Sequence, residues 1–179
     1  LGAQGGQGAP PQGAQHAGFL FFLSHLRPGD LAAVENPTFM PIRRQVEHLG
    51  RALAFDRCPE SSYVPRREQV EGLLSKGARV LALTNLHNPS GAVLSEDRTA
   101  GLVEGADRKG AMVLSDEVYR EMAYGPVPRA TFHFGENAVS VSSVTKLNGL
   151  RGLRAGWLIG APDVVRKVVA PPYPDPSPI

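Results

Sequence analysis

One lysine in this 179-residue chain stands where chemistry would use it. Lys146 follows an apolar, β-branched run, Ala138 to Val141, and the hydroxyl residues Ser142, Ser143 and Thr145. A glycine-punctuated segment carrying Arg151 and Arg154 comes after it. A lysine at the mouth of a buried strand costs desolvation energy unless something uses it. Hydroxyls before it and arginines after it are what a doubly charged phosphate requires. An amine beside such a site is placed for Schiff-base chemistry.

Other groups fall in comparable positions. Asn88 in Asn-Pro-Ser-Gly, Asp116 in Ser-Asp-Glu-Val-Tyr, and Lys146 each come just past an apolar run that predicts a strand. In open parallel sheets, reactive groups collect beyond the carboxyl ends of the strands. Asp116 is the candidate to keep a ring nitrogen protonated, so that the ring accepts electrons from a carbanion; its everyday alternative is a cap on the next turn. Asn88 and Tyr119 are candidate donors to a phenolic oxygen, against plain turn chemistry for the first and an ordinary half-buried tyrosine for the second. Phe39, after Asn-Pro-Thr, would stack on a ring face or simply fill the core. Gly13-Ala14-Gln15 would present helix N-terminal N–H groups to an anion, or serve as a flexible lead-in. Ser143 and Arg154 would complete that anion site. A cofactor with a phosphate, an aromatic ring, a ring nitrogen, a phenolic oxygen and an aldehyde is pyridoxal 5′-phosphate.

The elements that must position these groups alternate. A helix is predicted from Gly13 to about Leu26, stopped by Arg27-Pro28-Gly29-Asp30. A strand over Leu31 to Val34, a helix over Met40 to Leu49 and a strand over Arg51 to Phe55 come next. A helix over Glu68 to Lys76 ends at Gly77, and a strand over Arg79 to Thr84 follows. Ser95 is the expected N-cap of a helix running to Lys109. Strands over Ala111 to Leu114, Ala138 to Val141 and Trp157 to Ile159 complete the pattern. Short apolar strands separated by helices predict an α/β fold of three layers, α/β/α, with a mostly parallel sheet.

Composition sets the outer bounds. Hydrophobic residues make up 42% and charged residues 20%, which is ordinary for a globular domain with a real core. The net charge of +2 and the lack of basic clusters interleaved with aromatics argue against nucleic acid as a partner. Arg43-Arg44 and Arg66-Arg67 read as solvated helix faces. The single cysteine, Cys58, precludes an internal disulfide and suits a reducing compartment. No apolar run reaches membrane-span length, no signal peptide is readable, and no metal-ligand set is predicted. A cytoplasmic protein is the expectation. Residues 1–12 are nearly all Gly, Ala, Gln and Pro and are expected to be a low-complexity, disordered lead; residues 171–179 form a Pro-rich tail. Residues 13–170 form the expected domain.

The order and spacing of these motifs resemble the class I/II aminotransferases, the fold-type I enzymes that depend on pyridoxal phosphate. The resemblance spans about Gly13 to Gly160 and is most specific at Ser143-Val-Thr-Lys146, with Arg154 eight residues on and then Ala155-Gly156-Trp157. It implies that Lys146 carries the cofactor as a Schiff base and shuttles the proton. It further implies that Asp116 pairs with the pyridine nitrogen, and that Asn88 and Tyr119 bond the phenolic oxygen. Phe39 would take the stacking position, and Ser143, Arg154 and the amides of Ala14 and Gln15 would hold the phosphate. It implies amino acid and 2-oxo acid substrates and, for the full-length enzyme, a homodimer. Family members also have a C-terminal small domain supplying the arginine that grips the substrate carboxylate; no candidate for that arginine is found, so the chain is expected to be an incomplete large domain. Two alternatives remain open at this level: a lyase or amino-acid synthase using the same cofactor, and a non-catalytic remnant. Cys58 to Val64 is a plausible lining loop.

Overall fold

The computed structural model describes residues 11–169. The predicted tail and all of the predicted lead except Pro11 and Gln12 lie outside the described residues. Those two are already engaged: the Pro11 carbonyl accepts from the amides of Gly13 (2.8 Å) and Gly156 (3.2 Å), and the Gln12 carbonyl accepts from Arg154. Pro11 and Gln12 therefore belong with the domain, because the 154–156 segment uses their carbonyls.

In chain order come α1 (Ala14–His25), β1 (Leu31–Asn36), α2 (Met40–Leu49), β2 (Arg51–Asp56), α3 (Arg67–Ser75) and β3 (Ala78–Thr84). Then follow α4 (Glu96–Asp107), β4 (Met112–Asp116), β5 (Ala138–Ser143), β6 (Gly156–Ile159) and α5 (Pro162–Val169). The strands form one sheet in the order β2-β1-β3-β4-β5-β6. All neighbours are parallel except β5 and β6. Each strand side chain alternates between two cores, as a period of two requires. Ala32, Val34, Val80, Ala82, Leu114, Val139 and Val141 pack with α1 and α2. Ala33, Leu81, Leu83 and Val113 pack with α3 and α4 on the other face. The three-layer expectation is met. No helix among the described residues is long and apolar enough to cross a membrane.

Local signals account for the boundaries. Ser95 Oγ accepts the Arg98 amide at 3.4 Å and caps α4. Two features were not expected from sequence: α5, and short 3-10 turns at Pro59–Ser61, Arg120–Met122, Thr131–Phe134 and Arg151–Leu153. Strands β1, β2, β4 and β5 also run one to two residues further than predicted, so that Asp116 ends β4 rather than following it, while β3 and β6 end where expected.

Candidate active site

The carboxyl edge of the sheet gathers the polar groups. Asp116 pairs with Thr84 on β3 and with Val141 on β5. Ser143 closes β5, and Gly156, which opens the antiparallel β6, is its partner. That reversal returns Arg154 to the same edge. The first turn of α1 arrives there too, because α1 lies over β4, β5 and β6.

A cavity of about 300 Å³ opens at this edge. Ala14, Gln15, Phe39, Asn88, Asp116, Tyr119, Ser143, Thr145, Lys146 and Arg154 all line it, with Thr84, Leu86 and Val118, which the sequence did not single out. The Cys58–Val64 loop does not. It contributes to a separate cavity with Asn36 and Arg66, because β2 sits at the edge of the sheet remote from β4.

Part of the cavity wall is electropositive. Gly13 caps α1 with φ at 89°, and no side chain caps the helix and no acidic residue occupies its first turn. The Arg154 guanidinium lies against this helix end, its Nη2 donating to the Gln12 carbonyl at 3.2 Å. A β-carbon on Gly13 would sit 3.2 Å from that same nitrogen. Among the described residues Arg154 has no ion pair. A guanidinium and a positive helix end held together repel one another unless an anion lies between them. The approach depends on Gly156, where a β-carbon would stand 2.6 Å from the Cα of Gly13 and 2.9 Å from the Ala14 nitrogen. Gly156→Ala is therefore expected to push α1 off β6, lowering stability by about 1–3 kcal/mol and weakening inorganic phosphate binding. Calorimetric titration with phosphate checks this; unchanged affinity would break the link between Gly156 and the anion cradle.

Another part of the wall is acidic and buried. Asp116 is 8% exposed and accepts only the Val118 amide, at 3.2 Å. Burial pushes its carboxyl up to about 7; the Val118 bond pulls the other way, the negative charges of Glu35 and Glu117 add to the rise, and Lys146 offsets it slightly. Burying a carboxylate without a cation is costly, so the cavity is built to receive positive charge at this point.

Lys146 differs from expectation in one respect. It is exposed, not buried at a strand mouth, because it lies three residues beyond β5 in an open loop. The desolvation argument for it lapses, and position carries the case instead: its Nζ lies 5.5 Å from the Tyr119 ring centroid, within the cavity wall. Asn88 is fixed by its backbone, whose N–H donates to Thr84 Oγ1 at 3.1 Å.

Sequence reasoning missed the support beneath these groups. Glu35 and Arg57 form an ion pair at 2.7 Å with both side chains 0% exposed. The one available signal was the placement of Glu35 at the end of an apolar strand.

Residues 10–170 match the family described as aminotransferase class I and II. The chain is 28% identical over 160 residues to an aspartate aminotransferase of Streptomyces avermitilis, covering 86% of this chain and 39% of that protein. The crystal structure of a PLP-dependent aminotransferase from Streptococcus suis matches with a TM-score of 0.82 at 29% identity, over 88% of this chain and 42% of that one. An aspartate aminotransferase from Thermotoga maritima matches with a TM-score of 0.83 at 26% identity, over 89% of this chain and 44% of that one. The chain thus spans about two fifths of the length of the relatives it matches.

Proposed function

The chain belongs to the class I and II aminotransferases, and from that premise we propose that it supplies the cofactor-holding part of a pyridoxal 5′-phosphate-dependent aminotransferase. The reaction would move an amino group from an amino acid to a 2-oxo acid. The observation that carries this reading is what one cavity brings together: an anion cradle, a buried carboxylate without a cationic partner, and an amine in its wall.

The donor set fits the cofactor. Ser143, Arg154 and the amides of Ala14 and Gln15 would hold the phosphate, Asp116 the ring nitrogen, Asn88 and Tyr119 the phenolic oxygen, and Phe39 one ring face. When bound, pyridoxal 5′-phosphate supplies an aldehyde that condenses with an amine and a cationic ring that stabilises negative charge on a substrate carbon. The residues do the rest. Lys146 Nζ, on a long flexible stem, would hold the cofactor through its aldehyde in the resting enzyme and, once the incoming amino group has displaced it, would be the free base that takes the α-proton of the amino acid. Asp116 would set its carboxylate against the ring nitrogen and hold the proton there. Tyr119 and Asn88 would donate to the phenolic oxygen, while Phe39 would exclude water from one ring face.

Beside the cavity-lining Lys146, Arg151 and Arg154 in the chain, Leu147, Leu150 and Leu153 are exposed at 51, 50 and 65%. Exposed apolar groups clustered in one segment mark a surface that another part covers, and in our reading a second copy of the full-length protein covers it. Sedimentation of that protein tests this; a monomer with full activity would set it aside. The lone free cysteine, Cys58, accords with a cytoplasmic setting.

The experiment for the activity is a half-reaction. Full-length protein loaded with cofactor and mixed with an amino acid should release the 2-oxo acid and leave the cofactor as its pyridoxamine form. Release of ammonia with the cofactor unchanged would assign an eliminating enzyme instead.

A further inference from the structure

The cofactor reading places Asn88 against the phenolic oxygen, and the inference here rests on that reading: it concerns what holds Asn88 in place. We propose that Thr84, its hydroxyl oriented by Glu35, is a positioning residue for Asn88, so that three strand ends jointly fix one cofactor contact. Thr84 Oγ1 donates to Glu35 Oε1 at 2.5 Å and accepts the Asn88 N–H at 3.1 Å. A hydroxyl has a single proton. Once Glu35 takes it, only lone pairs face Asn88, and the direction of the second bond is set.

Glu35 is itself held from the far side. Arg57 Nη1 donates to Glu35 Oε2 at 2.7 Å and to the Thr84 carbonyl at 3.0 Å, while Arg57 Nε donates to the Tyr63 carbonyl at 2.6 Å. Thr38 also donates to Glu35 Oε1, at 3.4 Å, one residue before Phe39. One buried carboxylate therefore references both walls of the cavity, the Phe39 loop and the Asn88 loop. His87 adds a clasp between them. Its Nε2–H donates to the Pro37 carbonyl at 2.9 Å, which leaves Nδ1 to accept from the Ser90 hydroxyl at 2.6 Å. Burial lowers the His87 pKa to about 4, so the ring stays neutral and the tautomer is set by the carbonyl.

A fully buried ion pair contributes little net stability compared with apolar residues of similar volume. The Glu35–Arg57 pair is better understood through what it orients. A purely structural role and a positioning role part company in the titration of the bound cofactor. A donor on the phenolic oxygen favours the deprotonated chromophore, so losing that donor raises its apparent proton affinity.

The test uses the full-length protein loaded with pyridoxal 5′-phosphate, following the visible absorption against pH together with thermal melting. Thr84→Val keeps the side-chain shape and removes the hydroxyl. It should raise the chromophore's proton affinity about three- to tenfold, in the same sense as Asn88→Ala. The double variant should go no further than Asn88→Ala alone, and Thr84→Ser should titrate as wild type. A Thr84→Val protein that melts lower but titrates as wild type would overturn the proposal while leaving the cofactor reading intact. A wild-type protein that acquires no cofactor band would overturn both. Should Thr84→Val fail to fold, amide exchange in the wild type decides: the Asn88 N–H is expected to be protected like the strand amides, and exchange at the solvent rate would refute its bond to Thr84.

Discussion

Replacing Lys146 by alanine is expected to remove transamination while leaving the cofactor-free fold as stable as before. The two halves of this result have separate causes. Lys146 is exposed and, among the described residues, makes no ion pair. Truncating a side chain of this kind changes stability by roughly 0.5 kcal/mol or less. Proton transfer by a positioned base contributes about 10²–10⁴ in rate, and the covalent hold on the cofactor is lost with it. Steady-state kinetics of the full-length protein beside a melt of its cofactor-free form measure both. A variant retaining more than a tenth of the activity would remove Lys146 from its role; a variant that melts much lower would make it structural.

Asp116→Asn is expected to divide in the opposite way: more stable without cofactor, and nearly inactive with it. The folded state holds the Asp116 carboxyl at about 7, against its ordinary value of 3.8. An acid whose pKa rises on folding favours the folded state at low pH, where both states are protonated. That advantage is lost as pH climbs from about 4 to 7, because the unfolded chain releases its proton first. Above pH 7 the cofactor-free wild type carries the whole cost, on the order of 4 kcal/mol. The neutral amide carries none of it. The melting temperatures of the two proteins should therefore converge near pH 4 and separate towards pH 7, the variant being higher. The amide cannot hold a positive ring nitrogen, so activity should fall by roughly 10²-fold or more. Parallel melting curves at every pH would contradict the burial of an unpaired acid. A charge kept at the expense of stability is the mark of a site built for a ligand.

The alternation of helix and strand was legible in the sequence because each strand is a short apolar run closed by turn residues. Leu31, Ala78 and Ala138 open strands at or within one residue of where those runs begin. Asp116, Asn88, Tyr119, Ser143 and Lys146 could be named because they lie at or shortly after a strand end, and parallel topology brings such ends together; Ala14 and Gln15 instead open α1, and Arg154 comes just before β6. What stayed hidden depends on contacts between distant segments. Glu35 and Thr84 are 49 residues apart and meet only because β1 lies beside β3. A charged residue at a strand end ordinarily reads as solvent-facing, and only the ion pair with Arg57 reveals otherwise. Helix α5 was hidden for another reason. It is eight residues long and buries Val168 against the α1 face, a pattern too short for periodicity to distinguish from the proline-rich sequence that follows it.

The central claim is that an aldehyde cofactor is anchored on one particular amine. The chain has four lysines, Lys76, Lys109, Lys146 and Lys167, and the cavity takes only Lys146. Loading the full-length protein with pyridoxal 5′-phosphate, fixing it with borohydride and mapping the label by peptide mass spectrometry asks the question directly. The account predicts label on the peptide containing Lys146, and none on that peptide when inorganic phosphate fills the cradle beforehand. Label spread over Lys76, Lys109 and Lys167, or absent from Lys146, would contradict it.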